Sequence, residues 1–397
     1  MDYAAATPLD KEVRKAMLPF LRTQYGNPSS IHAEGRAADA AIAKARKSIA
    51  DVLGMRPPEI IFTGSGTESI ALAIQGVMNL HHGAHMVTSE AEHSAVLENA
   101  AMVEKIGSRV TYIPVTRYGI VDMRLLAKSI QKDTVLISIA YINNEIGAIQ
   151  PLSEIANIVR KERNRRKVVR ELLPLWFHTD ACQAGEYAPL RLDALGVDML
   201  TLNASKLYGP KGVGLLCKRT TVGLQPLWGG GGQEQGLRSG TENIAGIVGF
   251  AKAVEIADRN KIKERHRMTK LQEYFLRALK QAVPDIELNG PPLGNERSCN
   301  NVNIYIPGIS GETLVLYFDE RGIAASTGSA CLSREGGLSR AILSLSQSET
   351  RAVQSIRFTL GRYTARSDID GAVHVLRNAR VLLRNAPRQT YAKTKNR

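Results

Sequence analysis

Short apolar runs rich in isoleucine and valine alternate along the first half of the chain with longer amphipathic stretches. The apolar runs occupy residues 59–63, 85–89, 109–115, 134–140 and 198–202, and helical periodicity covers 33–53, 68–80 and 152–169. Continuous apolar strands separated by helices are typical of βα units, in which a parallel sheet is covered on both faces. The pattern therefore predicts an α/β fold with a mainly parallel sheet.

The pattern changes after about Gly240. A long helical stretch over 244–283 precedes a strand-like run at 301–306, a helix from Gly311, the segment 323–331 and a second strand-like run at 355–361. This order predicts a smaller α+β domain. We expect a large domain at 9–248 and a small domain formed by 1–8 together with 249–397.

The composition is that of a globular protein. The chain has 397 residues, of which 44% are hydrophobic, and this length suits two domains with a substantial core. Apolar runs stay shorter than the roughly 20 residues that span a bilayer, and the first residues lack the features of a signal peptide. We therefore expect a cytoplasmic protein that does not enter a membrane.

Four cysteines are scattered along the chain without a C-x-x-C pair, so the sequence indicates neither a disulfide framework nor a zinc site. No metal site is expected. At least one thiol could be free for chemistry.

The formal net charge of +14 would attract acidic partners through a field that salt screens. Much of the excess lies at 160–170 and in the tail after residue 376, and both segments resemble solvated helix faces or ends. No helix-turn-helix, zinc-finger or mixed aromatic and basic signature accompanies them, so we expect no specific nucleic-acid binding.

Lys206 follows a strand-like run and precedes glycines in the segment T-L-N-A-S-K-L-Y-G-P-K-G. A catalytic lysine must lose its proton, which requires partial desolvation or nearby positive charge. Presentation at the end of a strand suits a lysine that forms a Schiff base. On this segment alone, a surface lysine in a glycine-rich turn fits equally well.

Polar residues follow other strand-like runs. Gly66 and Thr67 follow one run and open a helix, where backbone N–H groups and a hydroxyl can bind phosphate. Asp180 ends the run L-W-F-H-T-D with Gln183 one turn onward, and a carboxylate there serves a ligand more often than packing. His93 follows the run at 85–89. An ordinary glycine turn and a structural histidine remain alternatives for Gly66 and His93.

In this order, the motifs of the chain resemble those of the class V aminotransferase group, and specifically of the cysteine desulfurases that feed iron-sulfur cluster assembly. The matching segments are D-Y-A-A-A-T-P, G-N-P-S-S-I-H, G-S-G-T-E-S, E-H-S-A-V, N-N-E-I-G, H-T-D-A-C-Q, S-K-L-Y-G-P-K-G, R-S-G-T-E-N, S-T-G-S-A-C and S-I-R-F-T-L-G. The resemblance covers nearly the whole chain. It implies fold type I of the enzymes that depend on pyridoxal phosphate, with a mainly parallel seven-stranded sheet and a smaller α+β domain.

The resemblance also implies roles for individual residues in binding the cofactor, pyridoxal 5'-phosphate. Lys206 would form the Schiff base and move protons, and Asp180 would face the pyridine nitrogen and keep it protonated. His93 would lie over the ring. Gln183 and Asn144 would bind the phenolic oxygen. The phosphate would be held by Gly66, Thr67, Asn203 and Ser205, and by Thr241 of a neighbouring subunit, which implies a homodimer.

Three further residues would act on the substrate, L-cysteine. Arg357 resembles the arginine that binds the substrate carboxylate, a task that suits a planar guanidinium, and Asn27 would assist it. An ordinary arginine at a strand edge is the alternative for Arg357. Cys331, in a Ser/Gly-rich stretch, would attack the substrate sulfur as a thiolate. The products would be alanine and a persulfide on Cys331, which a sulfur acceptor or iron-sulfur scaffold protein would receive.

The remaining cysteines, Cys182, Cys217 and Cys299, lie in or beside strand-like runs and are expected to be buried hydrophobic residues. The chain departs from the family pattern in having Ser205 in place of the usual histidine and Asn203 in place of the usual serine. Residues 163–175 resemble an insertion.

Two other functions remain open from the sequence. Another pyridoxal-phosphate enzyme, such as a selenocysteine lyase or an aminotransferase, would share Lys206 and Asp180, but transamination would not depend on Cys331. A noncatalytic basic interaction protein that keeps the fold would bind no cofactor and would form salt-sensitive complexes.

Overall fold

The computed structural model describes residues 1–328 and 338–384. Its strands are β1 Ile60–Thr63, β2 His85–Ser89, β3 Arg109–Ile113, β4 Thr134–Ser138, β5 Trp176–Asp180, β6 Met199–Asn203, β7 Gly214–Lys218, β8 Glu287–Leu288, β9 Asn301–Tyr305 and β10 Ser355–Thr359. The apolar runs that the sequence pattern identifies as strands are therefore strands, and the runs at 109–115 and 134–140 end two residues earlier than predicted.

Seven strands form one sheet in the order β1-β7-β6-β5-β4-β2-β3. Strands β2 to β6 pair in parallel, whereas β7 runs antiparallel to both β6 and β1. Strands β2, β4 and β7 are buried at every position, and β5 and β6 at all but one, as expected for a sheet that helices cover on both faces. The predicted α/β class and the mainly parallel sheet are confirmed.

The helices are α1 Lys11–Arg22, α2 Ala33–Leu53, α3 Gly66–Met78, α4 Ser94–Lys105, α5 Met123–Ser129, α6 Leu152–Val168, α7 Leu192–Leu195, α8 Ile244–Ala282, α9 Gly311–Asp319, α10 Arg340–Ser346, α11 Glu349–Val353 and α12 Arg366–Arg384. Helix α2 has the predicted bounds because its buried residues recur at helical spacing and Gly54, at φ +68°, ends it. Helix α3 begins two residues before the prediction, since Ser65 caps its first turn.

A second, antiparallel sheet has the order β10-β9-β8. Its core contains Phe275, Phe318 and Phe358, whose rings pack edge to face. Helix α8 joins the two cores, because Phe250 near its start packs in the first and Phe275 near its end packs in the second. The domain boundary expected at residue 248 falls inside this helix and stays a prediction.

The first residues of the chain pair with the smaller sheet. Thr359 of β10 donates its backbone N–H to the Met1 carbonyl at 2.9 Å, and Asp2 forms a parallel bridge with Thr359. The Ala4 N–H donates to the Thr359 hydroxyl at 2.9 Å, and the carbonyls of Ala4 and Ala5 accept from Lys206, which follows β6 of the larger sheet. These contacts therefore place residues from the N-terminus between the two sheets.

One arginine of the basic segment 160–170 does not lie on a solvated face as the sequence suggested. Arg166 is 3% exposed. Its guanidinium donates to the carbonyls of Gln131, Leu173 and Pro174 and pairs with Glu162. The interpretation was wrong for this residue because a charge run does not show which of its side chains will be buried among main-chain acceptors.

In residues 1–328 and 338–384, no helix combines the length and apolar character that crossing a membrane requires.

Candidate functional site

A cavity of about 220 Å³ opens where the carboxyl ends of the parallel strands meet the segments that follow them. Such ends are the usual ligand sites of α/β sheets, because helices begin there with free N–H groups. The predicted site residues that line the cavity are Gly66, Thr67, His93, Asn144, Asp180, Gln183, Asn203, Lys206 and Arg357. The fold therefore brings together residues that are up to 291 positions apart in the chain, from Gly66 to Arg357.

Lys206 ends a short 3-10 turn, Ala204–Lys206, directly after β6. Its Nζ atom donates to the main-chain carbonyls of Ala4 at 2.7 Å and Ala5 at 2.5 Å. Burial lowers the pKa of Lys206, and the positive charge of Arg357 lowers it further, although nearby Cys182 acts in the opposite sense. The amine is thus half-buried without a carboxylate hydrogen-bond partner among the described residues, which favours the neutral, nucleophilic form.

Asp180 is the last residue of β5, and hydrogen bonds to its main-chain carbonyl and to its carboxylate fix its position. Its carbonyl accepts from the Tyr141 N–H at 2.8 Å, and its Oδ1 atom accepts from the Cys182 N–H at 2.9 Å. Two residues earlier, the His178 ring bonds Ser138 of β4 and Thr201 of β6 at 2.9 and 3.0 Å. Burial lowers the pKa of His178 to about 4, so a neutral imidazole links three strands below Asp180.

His93 is the N-cap of α4. Its Nδ1 atom accepts from the Ala95 N–H at 3.0 Å, which leaves the proton of the neutral ring on Nε2. Burial lowers the pKa of His93, and Lys206 adds to this effect while Asp180 opposes it. The cavity therefore contains a neutral imidazole with a fixed tautomer.

The start of α3 forms one end of the cavity. Gly66 and Thr67 occupy the first turn, where helix N–H groups lack partners within the helix. A Cβ atom on Gly66 would lie 2.9 Å from the Cys182 Sγ atom and 3.2 Å from the Asn203 Cβ atom. A side chain at this position would collide with these atoms, so only glycine leaves the first turn of α3 open towards the cavity. The open N–H groups fit a phosphate group.

Arg357 lies on β10 and is 1% exposed. Its Nη1 atom donates to the Asn144 carbonyl at 3.0 Å, and its Nη2 atom pairs with Asp2 at 2.8 Å. Its Nε atom has no partner among the described residues. A buried donor without a partner on the wall of a cavity is suited to an anionic ligand, because a carboxylate would satisfy it.

The other predicted site residues lie elsewhere. Ser205 bonds Asn203 through its hydroxyl and Thr7 through its carbonyl, and it does not line the cavity. Asn27 is exposed between α1 and α2, where it accepts from the Ser29 N–H, and Thr241 is exposed before α8. Cys331 lies outside the described residues.

Several residues that contribute to the site carried no predicted role. The carbonyls of Ala4 and Ala5 hold Lys206, Asp2 pairs with Arg357, and Cys182 lines the cavity instead of packing in the core as expected. Asp2 and the alanines belong to the segment D-Y-A-A-A-T-P, which was the available signal. Every residue has a main-chain carbonyl, so the identity of a side chain does not show which carbonyl will accept a hydrogen bond. The segment alone therefore did not reveal the contacts of Ala4 and Ala5 with Lys206.

Glu92 lies buried beside this site. It accepts from the Ser89 hydroxyl at 2.7 Å and from the Ala140 N–H at 2.9 Å. Burial raises the pKa of Glu92 from an ordinary value of 4.5 to about 8, and the Asp180 charge contributes in the same direction. The folded protein therefore binds this proton more tightly than the unfolded chain does.

Replacing Glu92 by glutamine is expected to flatten the pH dependence of stability. Between pH 4.5 and about 8 the folded state holds the extra proton, so the contribution of Glu92 is fully present below pH 4.5 and is lost as the pH rises to about 8. The Glu92→Gln variant should show a smaller decrease in its free energy of unfolding over this range in urea titrations. Glu90→Gln, an exposed change in the same segment, should keep the parental slope. An unchanged slope in Glu92→Gln would contradict this assignment.

Comparisons with known proteins agree with the site's chemistry. Residues 1–371 match the family model described as aminotransferase class-V. A cysteine desulfurase IscS of Dictyoglomus turgidum is 45% identical over 378 residues, which cover 95% of this chain and 93% of the relative. A cysteine desulfurase IscS of Methanosarcina thermophila is 41% identical over 387 residues, covering 97% and 92%.

Solved structures show the same similarity. A NifS-like protein superposes with a TM-score of 0.86 at 34% identity, covering 95% of this chain and 97% of its own. A structure described as SspA in complex with cysteine superposes with a TM-score of 0.75 at 32% identity, covering 92% and 99%.

Proposed function

The chain belongs to the class-V aminotransferase family and is a cysteine desulfurase, and on that premise we propose that pyridoxal phosphate binds in the cavity at Lys206 and that the sulfur of L-cysteine passes to Cys331. The observation that carries the proposal is the half-buried Lys206 amine, with its lowered pKa, in one cavity with Asp180 and Arg357. A relative of known structure was solved in complex with cysteine, which supports the same substrate here.

The residues of the cavity fit the cofactor at each of its ends. Lys206 would hold it covalently, and the first turn of α3 with Asn203 would hold its phosphate. Asp180 would face the ring nitrogen and hold a proton there, since β5 and its hydrogen bonds fix this carboxylate. When bound, pyridoxal phosphate supplies an electron-withdrawing ring that accepts electrons from the α-carbon of the substrate.

Arg357 would bind and orient the substrate carboxylate. The guanidinium is fixed by Asn144 and Asp2, while its Nε–H group remains unpaired. Nη2 carries two hydrogens, so the edge formed by Nε and Nη2 can donate two parallel bonds to a carboxylate. Asp2 is then a positioning residue: it holds Arg357 and offsets the cost of burying its charge.

The neutral amine of Lys206 would take a proton from the substrate α-carbon, and His93 with its Nε2 proton would face the reacting atoms. The Cys331 thiolate would attack the substrate sulfur. An S–S bond forms as the C–S bond breaks, the electrons of that bond end on carbon, and protonation of the carbon gives L-alanine. The balance is L-cysteine plus a thiol giving L-alanine plus a persulfide.

A homodimer is part of this proposal. Thr241 lies on the surface before α8 and does not line the cavity of its own chain. A second copy could bring it to the phosphate, which would complete the site between subunits. The persulfide would then pass to a sulfur-acceptor or iron-sulfur scaffold protein.

Product analysis distinguishes this reaction from transamination. With pyridoxal phosphate and a reductant, the protein is expected to form alanine and sulfide from L-cysteine in equal amounts, without any 2-oxo acid. An aminotransferase needs a 2-oxo acid acceptor and does not release alanine and sulfide in this ratio. Dependence on an added 2-oxo acid would therefore overturn the proposal, and turnover of L-selenocysteine alone would indicate a selenocysteine lyase.

A further inference from the structure

A second cavity, of about 290 Å³, lies between the two sheets and apart from the cofactor cavity. Its walls come from the segment after β4, the segment after β5, the middle of α8 and the segment before β9. Ile142 borders both cavities, and its neighbour Tyr141 donates its N–H to the Asp180 carbonyl at 2.8 Å. We call this space the Arg265 cavity, after the arginine at its edge.

Two tyrosines line the Arg265 cavity with hydroxyl groups that have no hydrogen-bond partner within residues 1–328 and 338–384. Tyr141 is 8% exposed and Tyr187 is 6% exposed. Burial raises the pKa of both, so both stay protonated at neutral pH and can donate. Hydroxyl groups that are open to the cavity and have no protein partner can donate to a ligand with acceptor atoms.

Positive charge lies beside these hydroxyls. Arg265 is exposed and forms no side-chain ion pair or hydrogen bond with the described residues. Burial raises the pKa of Tyr141 and Cys299, and the charge of Arg265 is near enough to oppose this rise in each. Arg297 is 2% exposed, and its partners are oxygens of Asn289, Pro291 and Asn301. None of these partners is a carboxylate, so the charge of this buried guanidinium is not neutralised by them.

The rest of the lining limits the class of ligand. Ile142, Ile149 and Pro189 supply apolar wall, and Gln272 already donates to the carbonyls of Ser298 and Asn301. The exposed Glu273 lies two helical turns from Arg265 on the same face of α8. Apart from the guanidinium groups of Arg265 and Arg297, the polar groups described here are chiefly donors, with the Glu273 carboxylate at the rim.

We propose that the Arg265 cavity binds a small organic acid, whose carboxylate is held by Arg265 and the hydroxyls of Tyr141 and Tyr187. The guanidinium and the hydroxyls match carboxylate oxygens, and the apolar wall takes the body of the ligand. A plain carboxylic acid and an amino acid share this chemistry. They differ at the ammonium group, which Glu273 would favour.

Propionate and L-alanine are matched probes, because they differ only by the α-ammonium group. Crystals of the cofactor-loaded protein soaked in each should show density between Arg265 and Tyr141, and calorimetry should detect binding in solution. Arg265→Gln should weaken binding at this site at least about tenfold, and Tyr141→Phe should weaken it less. Arg277→Gln, an exposed change farther along α8, should leave it unchanged. Tighter binding of L-alanine would identify an amino-acid site, and tighter binding of propionate a plain carboxylate site.

Three outcomes would overturn the proposal. They are an empty Arg265 cavity in soaked crystals, density in crystals without binding in solution, and equal affinity in the parent and Arg265→Gln. The readout is binding at Arg265, so it does not depend on desulfurase activity. Failure here would leave the assignment of the Lys206 cavity intact.

Discussion

Replacing Lys206 by alanine is expected to abolish both retention of the cofactor and turnover of L-cysteine. Lys206 is the one lysine among the described residues that line the cavity, and burial lowers its pKa. Its loss removes the covalent link to pyridoxal phosphate and the group that moves protons at the substrate. Positioned proton transfer alone is worth about 10²–10⁴ in rate, so activity should decrease by at least this factor.

The measurement has two readouts, the absorbance of bound cofactor after gel filtration and the rate of alanine formation. Lys211→Ala is a matched control, because Lys211 is exposed and lies in the same segment. It should retain both the absorbance and the rate. If Lys206→Ala kept a stable cofactor absorbance and parental turnover, another amine would have to carry the reaction.

Replacing Cys331 by alanine is expected to reduce alanine formation from L-cysteine to the level of a blank, while the cofactor stays bound. The described thiols are poorly suited to attack sulfur. Burial raises the pKa of Cys299 to about 12 and raises that of Cys217 even further. Because the thiolate is the nucleophile, these buried thiols are unreactive near neutral pH.

Cys182 is the competing nucleophile, since it lines the cofactor cavity. Burial raises its pKa, and the adjacent Asp180 carboxylate raises it further. Cys182→Ala should therefore keep most of the alanine formation that Cys331→Ala loses. If Cys182→Ala lost alanine formation and Cys331→Ala kept it, Cys182 would be the nucleophile and the proposed role of Cys331 would be wrong.

The sequence was sufficient to predict the mainly parallel sheet and the approximate positions of its strands, although the predicted runs at 109–115 and 134–140 extend two residues past β3 and β4. Strands that helices cover on both faces are rich in apolar residues, so the short runs that end at Ser89 and Asp180 differ from the longer amphipathic helices around them. Polar residues that follow such runs meet at one edge of the sheet. For this reason His93, Asp180 and Lys206 could be expected in one place before their cavity was known.

Interactions made by the main chain and across long separations could not be predicted. Nothing in an alanine signals that its carbonyl will accept from Lys206, as those of Ala4 and Ala5 do. The ion pair of Asp2 with Arg357 joins residues 355 positions apart, and it depends on how the first residues pair with β10. These contacts follow from the packing of the two sheets, which local patterns do not encode.

Buried arginines were missed for a related reason. Arg166 looks like a member of a solvated basic surface in the sequence, and no role was predicted for Arg297, yet both are buried and donate mainly to main-chain carbonyls. An arginine can extend its apolar stem along a helix or loop and turn its guanidinium inward wherever acceptors are available. The Arg265 cavity is lined by the exposed Arg265, the buried Arg297 and tyrosines from two separate segments, so it became visible only in the fold.

The most direct test of the central claim is mass spectrometry of the Cys331 peptide after the cofactor-loaded protein reacts with L-cysteine in the absence of reductant. A single turnover is expected to leave this peptide heavier by one sulfur atom, with one alanine released per modified cysteine. The peptides of Cys182, Cys217 and Cys299 should stay unmodified. Alanine release with the extra sulfur on another residue, or with none on the protein, would contradict the account.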